Sequence, residues 1–236
     1  MHTGTDMAIH MKGIIMDSKF IRLVQSLDPL FPIGSYTLSN GMETYVQKNV
    51  VCSRDQLKEH LESYLYMLTF NDLAFAAKAY AGCDVRELDR ICSALKAPFE
   101  IRSGSVKQCI RFLKLHTELD DYPALEQYKE QIDSGECSGH YCIAMGLFIK
   151  ETGVDLSEAL ELYCYSILSS MANHAVKLVP LRQLDGQKAL YDVEKKIPDA
   201  VRRSMAMKMD ELGASGCGFD IRSMQHENLF SRLYIS

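Results

Sequence analysis

Residues 156–187 constrain the fold most strongly, because the first two thirds of this stretch are apolar on almost every helical face. Asp155, with Glu158 three residues later, has the pattern of a capping box, so we expect a helix to begin here. A helix that is apolar all round either lies inside a bundle or spans a membrane. This one contains more polar side chains than a membrane span tolerates, namely Glu161, Asn173, His174 and Lys177. The stretch therefore predicts the central helix of an all-helical domain.

The rest of the chain shows helical rather than strand periodicity. Ser53 is a typical N-cap for a long amphipathic helix that we expect over residues 53–81. Pro198 either bends a later helix or starts a new one. We predict an all-α, single-domain bundle of roughly eight to ten helices with a flexible C-terminal tail. Residues 1–18 are predicted to be a flexible leader, residues 19–212 the helical domain, and residues 213–236 a glycine-rich linker and docking tail.

Composition limits the function further. The 236 residues carry a formal net charge of -5, which argues against a nucleic-acid-binding protein with a basic face. The eight cysteines are scattered, and no secretory leader precedes them, so we expect reduced thiols in a cytoplasmic protein. The chain has no nucleophile elbow, no His-Glu-x-x-His and no P-loop, so no catalytic residue is assigned and a hydrolase is disfavoured.

Four short blocks are unusually specific. The first, residues 30–43, has prolines and glycines that break the helix pattern, and its candidate residues are Pro32, Gly34, Tyr36, Ser39, Gly41 and Glu43. The second is Glu100-x-Arg102-x-x-Ser105, whose Glu/Arg pair should point to different helix faces and be solvated. The third, residues 178–187, contains Pro180, Gln183, Gly186 and Gln187. The fourth, residues 223–234, contains His226, Glu227, Arg232 and Tyr234.

These four blocks resemble, in the same order, the motifs of the urease accessory protein UreF family. The resemblance implies a non-catalytic, homodimeric helical protein that sits between a UreD/UreH-type scaffold and the GTPase UreG and supports nickel insertion into apo-urease. It implies no cofactor of its own, because the larger assembly handles the nickel, and no nucleic-acid or membrane partner.

The resemblance also assigns roles to residues. Tyr36 and Arg232 are the strongest candidates for partner contact, and the tail, with His226, Glu227 and Tyr234, is expected to order on meeting the scaffold. The alternative is a tail folded back on its own domain. Gln183, Gly186 and Gln187 are candidates for dimer or core geometry.

A second hypothesis is a Cys/His-based metal carrier. Cys137, His140 and Cys142 lie close together in the sequence, and His2 and His10 lie near the N-terminus. Zinc sites need about four ligands, usually as two separated pairs, and no second Cys/His pair is evident. We therefore assign no metal ligand, and the carrier stays an alternative to the adaptor.

Overall fold

The computed structural model describes residues 18–35, 38–214, 216–230 and 232–234. These residues contain twelve α-helices, and a turn of 3-10 helix lies at Met209–Glu211. No β-strand occurs in these residues, which confirms the all-α prediction. The helices are α1 (Ser18–Leu27), α2 (Met42–Gln47), α3 (Arg54–Phe70), α4 (Asp72–Tyr80), α5 (Val85–Leu95), α6 (Phe99–Leu119), α7 (Pro123–Asp133), α8 (Tyr141–Thr152), α9 (Leu156–Leu178), α10 (Gln183–Glu194), α11 (Ile197–Ala206) and α12 (Cys217–His226). The predicted leader lies outside the described residues except for Ser18, which begins α1.

Helix α9 is the central element that the sequence predicts. The Asp155 carboxylate caps it by accepting a hydrogen bond from the Glu158 amide at 3.1 Å. It packs against α1, α2, α3, α4, α10 and α11, so its apolar residues are buried on several sides. No helix within the described ranges is both long and apolar enough to cross a membrane.

The predicted long helix over residues 53–81 is wrong in one respect, because it is divided into α3 and α4 at Asn71. Ser53 caps α3 as predicted, accepting from the Gln56 amide at 3.3 Å. Asn71 leaves the helical region with φ -115° and ψ -107°, and its side-chain amide donates to the Met67 carbonyl at 2.9 Å. Asparagine side chains compete with the backbone for hydrogen-bond partners in this way. At Asn71 the chain changes direction, so that α4 runs into the interior of the bundle. This division, together with α2 and α12, explains why the described residues contain twelve α-helices and not the predicted eight to ten.

The C-terminal segment also differs from the prediction. Residues 213–236 are predicted to be a glycine-rich linker and docking tail, yet α12 begins at Cys217 and includes Gly218. It packs against α2 and α6, burying Ser223 and His226. Tertiary packing of one helix face therefore overrides the low helix propensity of glycine. Residues 216–230 are folded back on the domain, which is the alternative that the sequence left open.

Candidate functional site

Three of the four sequence blocks meet at one partly buried charge cluster, formed by Glu43, Glu100, His226 and Arg232. Glu43 Oε2 lies 2.9 Å from His226 Nε2, and Glu100 Oε2 lies 2.6 Å from His226 Nδ1. Glu43 and His226 are separated by 183 residues along the chain and are both almost fully buried. The imidazole of the fourth block is thus held between carboxylates of the first and second.

The same carboxylates bind the end of the tail. Glu43 Oε1 accepts from the Leu233 amide at 2.7 Å, and Oε2 accepts from the Tyr234 amide at 3.2 Å. Glu100 Oε1 accepts from Arg232 Nη1 at 2.5 Å. The two carboxylates thus connect the start of α2, the start of α6 and the tail through hydrogen bonds to His226, Arg232 and two backbone amides.

Residues of the first block shape the surface on which α12 rests. Gly41 has a left-handed φ of +79°, and a Cβ there would lie 2.9 Å from Ser223 Oγ and 3.3 Å from Ser223 Cα. A side chain at this position would push α12 away, so glycine permits the close approach. Ser39 is fully buried beside it, and Gly34 lies against Arg111, whose Nη1 donates to the Ile33 carbonyl at 3.3 Å. Pro32 is exposed, and Tyr36 lies outside the described residues.

Aromatic contacts hold both ends of the segment. The Phe219 ring lies 5.4 Å from Tyr64, 5.5 Å from His60 and 5.8 Å from Tyr45, measured between ring centroids. At the other end, the Tyr234 ring lies 4.5 Å from His174. Burial lowers the pKa of His60 and of His174 to about 4, so both imidazoles are neutral apolar-like packing partners at neutral pH.

The predicted partner-binding residues therefore have contacts within the chain. His226 and Tyr234 are buried, whereas Glu227 and Arg232 are exposed and bind the start of α6. Glu227 Oε1 accepts from the Phe99 amide at 3.2 Å, a favourable place for a negative charge because it lies at a helix N-terminus. A role of these residues in partner binding stays a prediction.

Sequence reasoning missed two features of this site. Glu100 and Arg102 point to different faces as expected, but they are not merely solvated. Glu100 belongs to the charge cluster, and Arg102 Nη1 donates to the Lys96 carbonyl at 2.7 Å, at the end of α5. The second feature is a set of three exposed apolar side chains, those of Phe99, Phe230 and Leu233, near cluster members along the chain; we call them the tail surface. The sequence signal for this surface was the presence of the apolar residues Phe230 and Leu233 within a mostly polar tail.

The third block lies away from the cluster. Gly186 packs α10 on α9 so closely that a Cβ would lie 2.4 Å from Val176 Cγ2. Glycine at position 186 therefore permits the close packing of α10 on α9, and its role in dimer or core geometry stays a prediction. Pro180, Gln183 and Gln187 are exposed around the start of α10.

The Cys/His group proposed for a metal carrier does not form a ligand set. His140 caps α8, and its ring nitrogens lie 2.7 Å from Ser93 Oγ and 3.2 Å from Ser105 Oγ. Cys137 Sγ contacts Gln131, and Cys142 Sγ faces Cys92. Among the described residues, no group of three or more His, Cys, Asp or Glu side chains could hold a metal ion.

The fold and the site define an all-helical protein whose sequence motifs meet to hold its own C-terminal segment and to present an apolar surface beside it. The family model for UreF matches residues 51–194. The chain is 35% identical to the urease accessory protein UreF of Actinobacillus pleuropneumoniae serotype 5b (strain L20), over 91% of this chain and 97% of that protein. It is 34% identical to the urease accessory protein UreF of Haemophilus influenzae (strain PittEE), over 91% and 94% respectively. The protein of the same name from Arthrobacter sp. (strain FB24) is 29% identical over 92% of this chain. The chain belongs to the UreF family.

Proposed function

We propose that this protein is a urease maturation adaptor, which bridges a UreD/UreH-type scaffold and the GTPase UreG and supports nickel insertion into apo-urease. Family membership over nine tenths of the chain supports a role in urease maturation. The named partners, a homodimeric state, a cytoplasmic location and a non-catalytic role are the finer parts of the proposal.

The adaptor mechanism is supported by one observation: residues from three separate sequence blocks hold the tail surface in place. Phe230 is fully exposed, and Leu233 and Phe99 are 67% and 64% exposed. The neighbouring residues are tied down by the carboxylates of Glu43 and Glu100. Apolar and aromatic anchors held in a fixed place lose little conformational freedom on binding, which is what a docking surface needs. We propose that the scaffold protein binds here.

The decisive experiment is urease activation in a heterologous host that carries the structural subunits and all cognate accessory genes, with and without this one. Urease activity and urease-bound nickel are measured together. The adaptor role requires that both collapse without this gene and return with it. Undiminished activity and nickel would reject the link to urease.

A double variant tests the tail surface. Phe230→Ala with Leu233→Ala keeps the backbone contacts to Glu43, so the segment stays folded while two apolar anchors are lost. Loss of about 2–4 kcal/mol in affinity for the purified scaffold protein is expected if both are interface anchors. Leu119→Ala, at a site 62% exposed at the end of α6, is the control for an exposed apolar side chain and should bind normally. Unchanged affinity of the double variant would remove the tail surface from the interface.

Arg232→Ala is expected to weaken scaffold binding by about 1–3 kcal/mol. Because Arg232 also binds Glu100, hydrogen exchange of the tail must accompany the affinity measurement. Weaker binding without faster exchange would indicate direct contact with the partner, and weaker binding with faster exchange would indicate positioning of the tail.

A further inference from the structure

Two buried cysteines from different helices face one another in the interior. Cys92 of α5 and Cys142 of α8 are both fully buried, and their Sγ atoms lie 3.8 Å apart, which is van der Waals contact. The eight cysteines are all free thiols. Within the described part of the chain, no other sulfur–sulfur contact of this kind is found. Fifty residues separate the two thiols, so only the packing of α5 on α8 brings them together.

The surroundings of the pair are polar and contain a fixed positive charge. His140 and Lys96 lie next to Cys92, and the Lys96 ammonium is held by Asp72 at 3.0 Å. Burial by itself raises the pKa of the Cys92 thiol. Hydrogen bonds with Cys142 and His140 and the charge of Lys96 outweigh this effect and lower the pKa of Cys92, whereas the hydrogen bond with Cys92 raises the pKa of Cys142. Of the two thiols, Cys92 is therefore the one in which the nucleophilic thiolate form is favoured.

A cavity lies beside residues that neighbour the thiol pair along the chain, although neither Cys92 nor Cys142 lines it. This cavity, of about 180 Å³, is lined by Lys96, Asp72, Ser105 and Tyr141. Lys96 lies one helical turn after Cys92, and Tyr141 directly precedes Cys142. Hydrogen peroxide is only slightly larger than water, so it fits in a cavity of this size.

We propose that Cys92 and Cys142 form a peroxide-reactive thiol pair that closes reversibly to an intramolecular disulfide. The Cys92 thiolate attacks one peroxide oxygen, the O–O bond breaks, and hydroxide leaves and takes a proton to become water. Cys92 is then a sulfenic acid. Cys142 loses its proton and attacks Cys92 Sγ, the S–O bond breaks, and a second water leaves. Two thiols and one peroxide thus give one disulfide and two waters, with two electrons passing from sulfur to oxygen.

The disulfide requires the two sulfur atoms to approach to about 2.05 Å. The sulfur atoms must therefore approach from 3.8 Å, and Cys142 is the second residue of α8, where the helix end is the part that can move to close the bond. The bond would tie α5 to α8. It would also stop Cys92 from proceeding to irreversible oxidation states.

Mass spectrometry of the full-length protein tests the proposal. The reduced protein is exposed to hydrogen peroxide under conditions that leave its circular dichroism unchanged, free thiols are alkylated after denaturation, and the digest is searched for a Cys92–Cys142 cross-linked peptide. We expect this peptide to form, to disappear with dithiothreitol, and to appear at least about tenfold faster than oxidation of Cys164. Cys164 is the matched internal control, because it is equally buried and burial raises its pKa to about 12.

Two variants sharpen the result. Cys142→Ala should replace the cross-link with a Cys92 sulfenic acid, which dimedone traps when it is present during denaturation, and Cys164→Ala should leave the cross-link intact. Recovery of Cys92 and Cys142 as free thiols at a peroxide dose that oxidises the exposed Cys52 would overturn the proposal. So would equal cross-linking rates in the folded protein and in the urea-unfolded chain, because the fold would then contribute nothing.

Discussion

Glu43→Gln is the sharpest perturbation of the charge cluster, because it keeps the shape of the side chain and removes its charge. Glu43 uses two oxygens to accept three hydrogen bonds, from the Leu233 amide, the Tyr234 amide and His226 Nε2. Glutamine has one carbonyl oxygen and an amino group that cannot accept. At least one of these buried donors therefore loses its acceptor. Hydrogen bonds to charged groups contribute about 1.5–3 kcal/mol each, so we expect a loss of about 3 kcal/mol.

A loss of this size should appear as local opening of the tail. Since 1.4 kcal/mol is a factor of ten, the open population should rise about 100-fold. Amide hydrogen exchange at Leu233 and Tyr234, measured by mass spectrometry or NMR, should accelerate by the same factor while exchange in α9 changes little. Glu118→Gln, at an exposed position near the end of α6, is the control and should leave tail exchange unchanged. Unaltered exchange at Leu233 and Tyr234 in Glu43→Gln would refute the reasoning.

Three further predictions concern stability. Burial lowers the pKa of three histidines to about 4, namely His60, His116 and His174. The unfolded chain protonates these imidazoles near pH 6.5, so stability present above that pH is lost as the pH falls towards 4. Urea unfolding should show a loss of about 1–2 kcal/mol per histidine at pH 5, and equal stability at pH 7 and pH 5 would contradict this. Gly186→Ala should lower the free energy of unfolding by about 1–3 kcal/mol, because the added methyl group would push α10 away from Val176. Gly218→Ala is the control, because open space surrounds that position and the variant should be as stable as the original protein. Equal melting temperatures of the two variants would argue against close packing at Gly186. The buried Asp89 carboxylate accepts three hydrogen bonds, from the Tyr128 hydroxyl and from the amides of Ser138 and Gly139. Asp89→Ala should therefore lower the free energy of urea unfolding by about 3–5 kcal/mol, whereas the control Asp210→Ala, at an exposed position, should change it by about zero.

Local patterns predicted the elements whose stability is local. The cap at Asp155 and the cap at Ser53 were both readable, because a capping side chain and its amide partner are three residues apart. The division at Asn71 was not readable, because asparagine is tolerated on a helix surface and only the packing of α4 decides the turn. Helix α12 was missed for the same reason, since its glycine-rich start is stabilised by contacts with residues more than 150 positions away.

Sequence alone established that this chain is helical, that residues 156–178 run through its centre, and that four blocks set it among UreF proteins. Periodicity and motif identity are properties of neighbours along the chain, so they need no coordinates. Only the tertiary structure showed that three blocks meet at His226 and that Glu100 binds this histidine instead of being solvated. Only the tertiary structure showed, too, that Cys92 faces Cys142. These contacts join residues 50 to 183 positions apart in the sequence. Their interactions are strong because they are buried, where water does not screen charges or hydrogen bonds.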